Sequence, residues 1–198
     1  MPDVKIKLMN DARSPAKRRG LTLVDVLAVI AIIATLAVLA APAAKGVTRQ
    51  SQIASDIAKL QKIGVAISAY REEYGPGPGI YGTASEMGLL TLLQVPTRRY
   101  GLPIESWQSS CGPMYPEADP QYRIDFGYAP ADTPEFAQLA RRFGDELPIV
   151  VDLSCDENLD QRLNQYKVHR GIAISLGGSL VQRLKKGDPG DMEWWVSP

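Results

Sequence analysis

Lys17-Arg18-Arg19-Gly20-Leu21-Thr22-Leu23-Val24-Asp25-Val26-Leu27-Ala28-Val29-Ile30 decides how this chain of 198 residues is built. Three basic residues and a glycine lead straight into an apolar run that continues to Ala44. The run holds one carboxylate, Asp25, five residues past the glycine. A charge in a bilayer costs about 2.5–3.5 kcal/mol at the centre of a helix and less near an end. A bare anchor has no use for it, so Asp25 reads as a functional group.

Upstream, Lys5, Lys7, Arg13, Lys17, Arg18 and Arg19 face only Asp3 and Asp11, an excess of four positive charges in a chain that is neutral overall. The positive-inside rule keeps this end in the cytoplasm and exports the chain beyond the helix. An ordinary signal peptide has a shorter apolar core, about 7–15 residues, with a small-residue cleavage site behind it. The stretch Leu21 to Ala44 is longer than that, which weakens the signal-peptide reading.

Downstream, Leu21 to about Tyr74 reads as one long helix in two halves. The first half is apolar on all sides, which suits lipid or a filament core. In the second, Ile53, Ile57, Leu60, Gly64, Ile67 and Tyr70 form one stripe at spacings of three and four. Arg49, Asp56, Lys59 and Lys62 are assigned largely to the other side. Such a helix measures roughly 80 Å at 1.5 Å per residue, against the ~30 Å of a bilayer core. Its second half therefore lies outside the membrane and packs on something. Pro42 removes a backbone donor and is expected to bend or loosen the helix.

Gly75-Pro76-Gly77-Pro78-Gly79 stops the helix. Beyond it the pattern is short and mixed. Ser85–Gln94 is expected to be a small helix. Thr133-Pro134-Glu135-Phe136 reads as a cap with proline at the first helical position, and Gly144 as the end of that helix. Strands are expected at Tyr122–Tyr128, Leu147–Leu153, Gly171–Leu176 and Ser179–Leu184, the last two joined as a hairpin through Gly177-Gly178. Met192–Val196 is expected to add an edge strand. Between Pro96 and Pro120, proline, glycine and serine indicate a loop.

The junction resembles the processing site of type IV pilins and type II secretion pseudopilins, over Lys17 to about Pro42. The resemblance implies that a prepilin peptidase cuts between Gly20 and Leu21 and methylates the new amine of Leu21. Asp25 becomes the acid at the fifth mature position, which in the family helps the subunit enter a helical filament. Pro42 falls where many members carry a helix-kinking proline. Two positions depart from the pattern: the first mature residue is usually phenylalanine, and the acid is usually glutamate.

The implied fold is α+β and pilin-like, a long N-terminal helix packed on a small antiparallel sheet. The chain then divides into a leader (1–20), a transmembrane or filament-core half of the helix (21–44), an amphipathic half (45–74) and an exported α+β domain (75–198). The implied function is structural: a subunit held in the inner membrane by a single pass, N-terminus cytoplasmic and C-terminal domain periplasmic or extracellular. It polymerises into a pseudopilus or pilus. Its partners would be other pilin or pseudopilin subunits, the peptidase and an inner-membrane assembly platform. The competing class is a membrane-anchored binding module, or a tip subunit contacting a ligand or secreted substrate.

Cys111 and Cys155 both lie in the exported part, and an even pair in an oxidising compartment reads as one disulfide, the alternative being two separate buried thiols. Four carboxylates crowd Asp152–Asp160, and Asp152, Asp156, Glu157 and Asp160 form either a calcium site or a solvated acidic loop. The spacing does not match an EF-hand. No other cofactor is implied. His169 is the sole histidine, and no nucleophile, zinc-protease or Walker motif accompanies it, so no enzymatic activity is expected. Of Trp107, Trp194 and Trp195, at least one of the adjacent pair is expected to fill the core against the long helix, with a sticky tip as the alternative. The basic pairs Arg98-Arg99 and Lys185-Lys186 are too sparse for nucleic acid.

Overall fold

The computed structural model describes residues 23–77, 79–113, 119, 123–158 and 166–197, and of residues 40–44 the backbone only. The chain divides into two units, Met1–Ala44 and Lys45–Pro198. Helix α1 (Leu23–Tyr74) carries on past Pro42, and its part from Lys45 onward belongs to the second unit. The second unit is α+β. Its four strands are β1 (Gly127–Tyr128), β2 (Pro148–Asp152), β3 (Val168–Ser175) and β4 (Leu180–Lys186), in the antiparallel order β1-β2-β3-β4. Among the described residues, the further helices are α2 (Val95–Arg98), α3 (Pro134–Phe143) and α4 (Met192–Val196).

The buried stripe of α1 is Ile53, Asp56, Leu60, Ile63 and Ile67, at alternating spacings of three and four. One helix face therefore meets the domain. Gly64 sits on the same face, and a Cβ there would come 3.0 Å from Ile174 Cγ2 of β3. Helix and sheet approach closely at that point because the side chain is missing. Asp56 corrects the sequence reading, since it lies on the packed face and is 0% exposed. Gly75 then ends the helix with its N–H on the Arg71 carbonyl, and Gly77 and Gly79 take positive φ.

Ser85–Gln94 forms turns, and the nearby helix is α2. Gly88 explains the shift: at φ +69° it lies against the backbone of Gly75, where a Cβ would come within 2.4 Å. The chain must turn there to clear the end of α1. Within the expected loop after Pro96 the structure forms α2 and two short 3-10 turns, Arg99–Gly101 and Ile104–Trp107. Arg99 and Tyr100 both have positive φ, at 46° and 50°. That strain is held by the buried Tyr100 ring, whose hydroxyl accepts from Leu90 N–H at 2.9 Å and meets the Tyr128 hydroxyl.

Helix α3 begins as expected, with Thr133 Oγ1 accepting from Phe136 N–H, and ends at Gly144. The hairpin of β3 and β4 turns through Gly177-Gly178, with Gly178 at φ +81°. Strand β3 starts three residues earlier than expected, and β4 runs two residues further. The expected strand at Tyr122–Tyr128 reduces to β1, and Tyr122 itself lies outside the described residues.

Alternation along β3 sends Ile172 and Ile174 into the main core with Leu60, Ile63, Ile67 and Trp107. Ala173 joins Leu153, Trp194 and Trp195 in a second cluster. Met192–Val196 is a helix, not an edge strand: Asp191 caps it by accepting from Glu193 N–H at 2.9 Å. Both tryptophans are buried, but in the second cluster and not against α1. They cross edge to face, 4.8 Å between centroids, over Gly171. A Cβ at Gly171 would come 2.3 Å from the Trp195 ring and 2.9 Å from that of Trp194. Gly171→Ala should therefore cost about 1–3 kcal/mol, read as a lower denaturation midpoint, whereas Gly46→Ala, with open space around it, should cost nothing comparable.

Candidate functional site

Two regions carry the residues of interest, one in each unit. In the first, every described side chain from Leu23 to Leu39 is exposed. The large apolar ones range from 40% exposed at Val26 to 77% at Leu23. Burying any one of them fully is worth about 1.5–3 kcal/mol. Asp25 lies in the first turn of α1, where a negative charge complements the helix dipole. Gly20 and Leu21 lie outside the described residues. Among the described residues no helix is long and apolar enough to cross a membrane. Of the sequence that is apolar from Leu21 to Ala44, side chains are described from Leu23 to Leu39.

In the second unit a polar cluster surrounds Asp56. Its Oδ2 accepts from Ser109 Oγ at 2.7 Å and its Oδ1 from Ser110 N–H at 2.7 Å. Lys59 Nζ stands 3.6 Å from Oδ1, while donating to the Gln108 carbonyl at 2.7 Å and to Ser110 Oγ at 2.9 Å. Ser110 Oγ also donates to Ser55 Oγ. One turn of α1 is thus matched to the loop Gln108–Cys111. A buried carboxylate is costly unless it is paired and hydrogen-bonded, and here it is both.

Cys111 and Cys155 form a disulfide, with Cα atoms 5.2 Å apart and a sequence separation of 44. The chain-entropy model gives such a loop on the order of 4 kcal/mol. Asp56 Oδ2 lies 3.6 Å from Cys155 Sγ, a contact without a hydrogen bond because the bridged sulfur carries no proton. Arg49 donates to the Cys155 carbonyl at 2.6 Å and pairs with Glu157. Among the described residues the group best placed to gather round a metal is Asp56, Cys111 and Cys155. Two of those three ligands are consumed by the disulfide.

The acidic segment disperses. Asp152 closes β2, 2% exposed, with Oδ1 accepting from Ser154 N–H. Asp156 accepts the buried His169 at Nδ1, 2.6 Å away, and the N–H groups of Asn158 and Arg170. Glu157 is 72% exposed and turned to Arg49. These three carboxylates serve three different partners, and Asp160 lies outside the described residues. His169, on β3, is fully buried and bonded through Nδ1 to Asp156. Sequence reasoning missed Asp56 because a lone acid on an amphipathic helix is assigned to water by default. The signal available was its place three residues after Ile53 and four before Leu60.

No family model, characterised protein or solved structure matches the chain.

Burial, with Asp56 and Asp125 nearby, pushes the Asp152 carboxyl up to about 6 from its usual 3.8. The folded chain therefore holds this proton more tightly than the unfolded one. The residue's contribution favours folding below about pH 4, fades as the pH rises to about 6, and stays lost above that. Asp152→Asn should remove this slope and raise stability at pH 7.5 by on the order of 2 kcal/mol. Urea unfolding of both chains at pH 4.5 and 7.5 measures it.

Proposed function

We propose that this chain is a pilin-type structural subunit, processed after Gly20 and polymerised through its N-terminal helix into a type II secretion pseudopilus or a type IV pilus. The observation that carries this reading is the basic glycine junction set directly before a helix whose apolar side chains are exposed on every side from Leu23 to Leu39. Such a helix needs lipid before assembly and other helices afterwards, and a monomer in water supplies neither. The disulfide in the second unit agrees with export to an oxidising compartment.

Leader removal frees an amine at Leu21 four residues before Asp25. A carboxylate and an ammonium buried together cost far less than either alone. Asp25 of one subunit paired with the amine of its neighbour then sets the axial register, while the apolar flanks supply the attraction. The second unit, with its own core, forms the filament surface.

Mass analysis of the mature protein should find Leu21 at its N-terminus, carrying one methyl group, and substitution of Gly20 by a bulky residue should leave full-length precursor in the membrane fraction. A mature start near Ala43 or Ala44 would mean a conventional signal peptide.

Asp25→Asn should keep processing and membrane level while lowering filament yield at least tenfold, and Asp25→Glu should assemble as well as the parent chain or better. Sheared filaments, quantified beside the membrane pool, give the answer. Equal yield from Asp25→Asn would favour a tethered binding module.

A further inference from the structure

Helix α1 is held to the second unit by two different chemistries. From Leu60 onward the contact is apolar, through Leu60, Ile63 and Ile67 in the main core. Between Lys45 and Lys59 the only fully buried apolar side chain is Ile53. Ile57 packs half-buried against the same core, and the polar contacts of Arg49, Asp56 and Lys59 end on the two loops that the disulfide joins. Lys59 and Asp56 grip Gln108, Ser109 and Ser110, next to Cys111. Arg49 grips the Cys155 carbonyl.

We propose that the Cys111–Cys155 bridge is a redox-operated clamp on the helix. In the oxidised chain residues 45–59 of α1 are locked to the globular unit. On reduction that stretch is released, while residues 60–74 stay docked. A dithiol reductant drives the change: its first thiolate attacks one bridge sulfur, and its second displaces the mixed disulfide. The S–S bond is broken, Cys111 and Cys155 each become thiols, and the reductant leaves as a cyclic disulfide, having supplied both electrons and both protons.

Asp56 makes the release switch-like. Its charge is tolerated at 0% exposure because Ser109 Oγ and Ser110 N–H are held against it. Once the bridge opens, the loop carrying those donors loses its covalent tie to Cys155. A buried charge whose partners drift is strongly destabilising. The cheaper course is for the helix to turn Asp56 into water, against the hold of only Ile53 and the half-buried Ile57. A helical stretch whose packed face is released loses the tertiary contacts that protect its backbone amides, and it opens locally more readily. Full docking is thereby reserved for a compartment that makes disulfides, whether or not the chain forms filaments.

Backbone hydrogen exchange on the full-length chain in detergent micelles tests this, comparing the oxidised protein with protein treated with dithiothreitol. Exchange at residues 50–59 should accelerate at least tenfold, with residues 60–70 and β3 unchanged within twofold. In Asp56→Asn the amide can keep both loop contacts without a buried charge, so reduction should accelerate the same stretch less than threefold. Equal acceleration throughout the unit, no acceleration at residues 50–59, or full release in Asp56→Asn each overturns the proposal. The Cys111→Ser/Cys155→Ser chain should reproduce the reduced pattern without reductant. Should it fail to fold, that contradicts the retained docking of residues 60–74 and overturns the proposal as well.

Discussion

A carboxylate with no access to water, Asp56, sets the terms on which the long helix meets its domain. Taking that charge out of solvent requires compensating donors in fixed positions. Ser109, Ser110 and Lys59 supply them, from a loop and from the next helical turn. The loop has no strand or helix of its own at this point and is steadied by Asp125, which accepts from Ser109 N–H and pairs with Arg123. The disulfide to Cys155 closes the arrangement from the side of β2. Without the Ser109 and Ser110 donors the helix face would present an unanswered charge to the domain.

The apolar half of the same interface follows a different logic. Leu60, Ile63 and Ile67 pack without regard to direction, and Gly64 lets β3 come near enough for Ile174 to fill the space. Aromatic rings extend this core toward the end of α1: Tyr70 meets Tyr100 edge-on, and Tyr100 lies 6.4 Å from Trp107. The burial of Tyr100, which also pushes its phenol up to about 12, holds two successive residues in the left-handed region. Non-glycine residues there cost about 1–3 kcal/mol each. The hydroxyl bonds to Leu90 and Tyr128 are the visible compensation.

On the other side of β3 the C-terminal segment is a latch. Trp194 and Trp195 fill the space left by Gly171, Arg183 donates to the Trp195 carbonyl, and Lys185 donates to the Ser197 carbonyl. Two layers thus flank the sheet, one from each end of the unit's sequence. Among the described residues, the first unit has no such layer. Its described apolar residues, from Leu23 to Leu39, are exposed all round.

How much of this was legible from residues alone depended on whether the controlling physics was local. The helix, its stop at Gly75, the Thr133 cap with Pro134 and the Gly177-Gly178 hairpin are set by neighbours in sequence, and all four stand where periodicity and turn chemistry put them. The pairing of Cys111 with Cys155 was readable because two cysteines allow one intramolecular bridge. The failures share a cause. Met192–Val196 is helical because Asp191 caps it and Gly171, distant in sequence, accepts both indoles. Ser85–Gln94 breaks at Gly88 because the end of α1 occupies the space a helix would need. Asp56 is inside because donors 53 and 54 residues away reach it. Hydrophobic period and cap chemistry act within a turn or two and are written in the sequence. Whether a charge can be buried, or a backbone can pass, depends on atoms that only folding brings within reach.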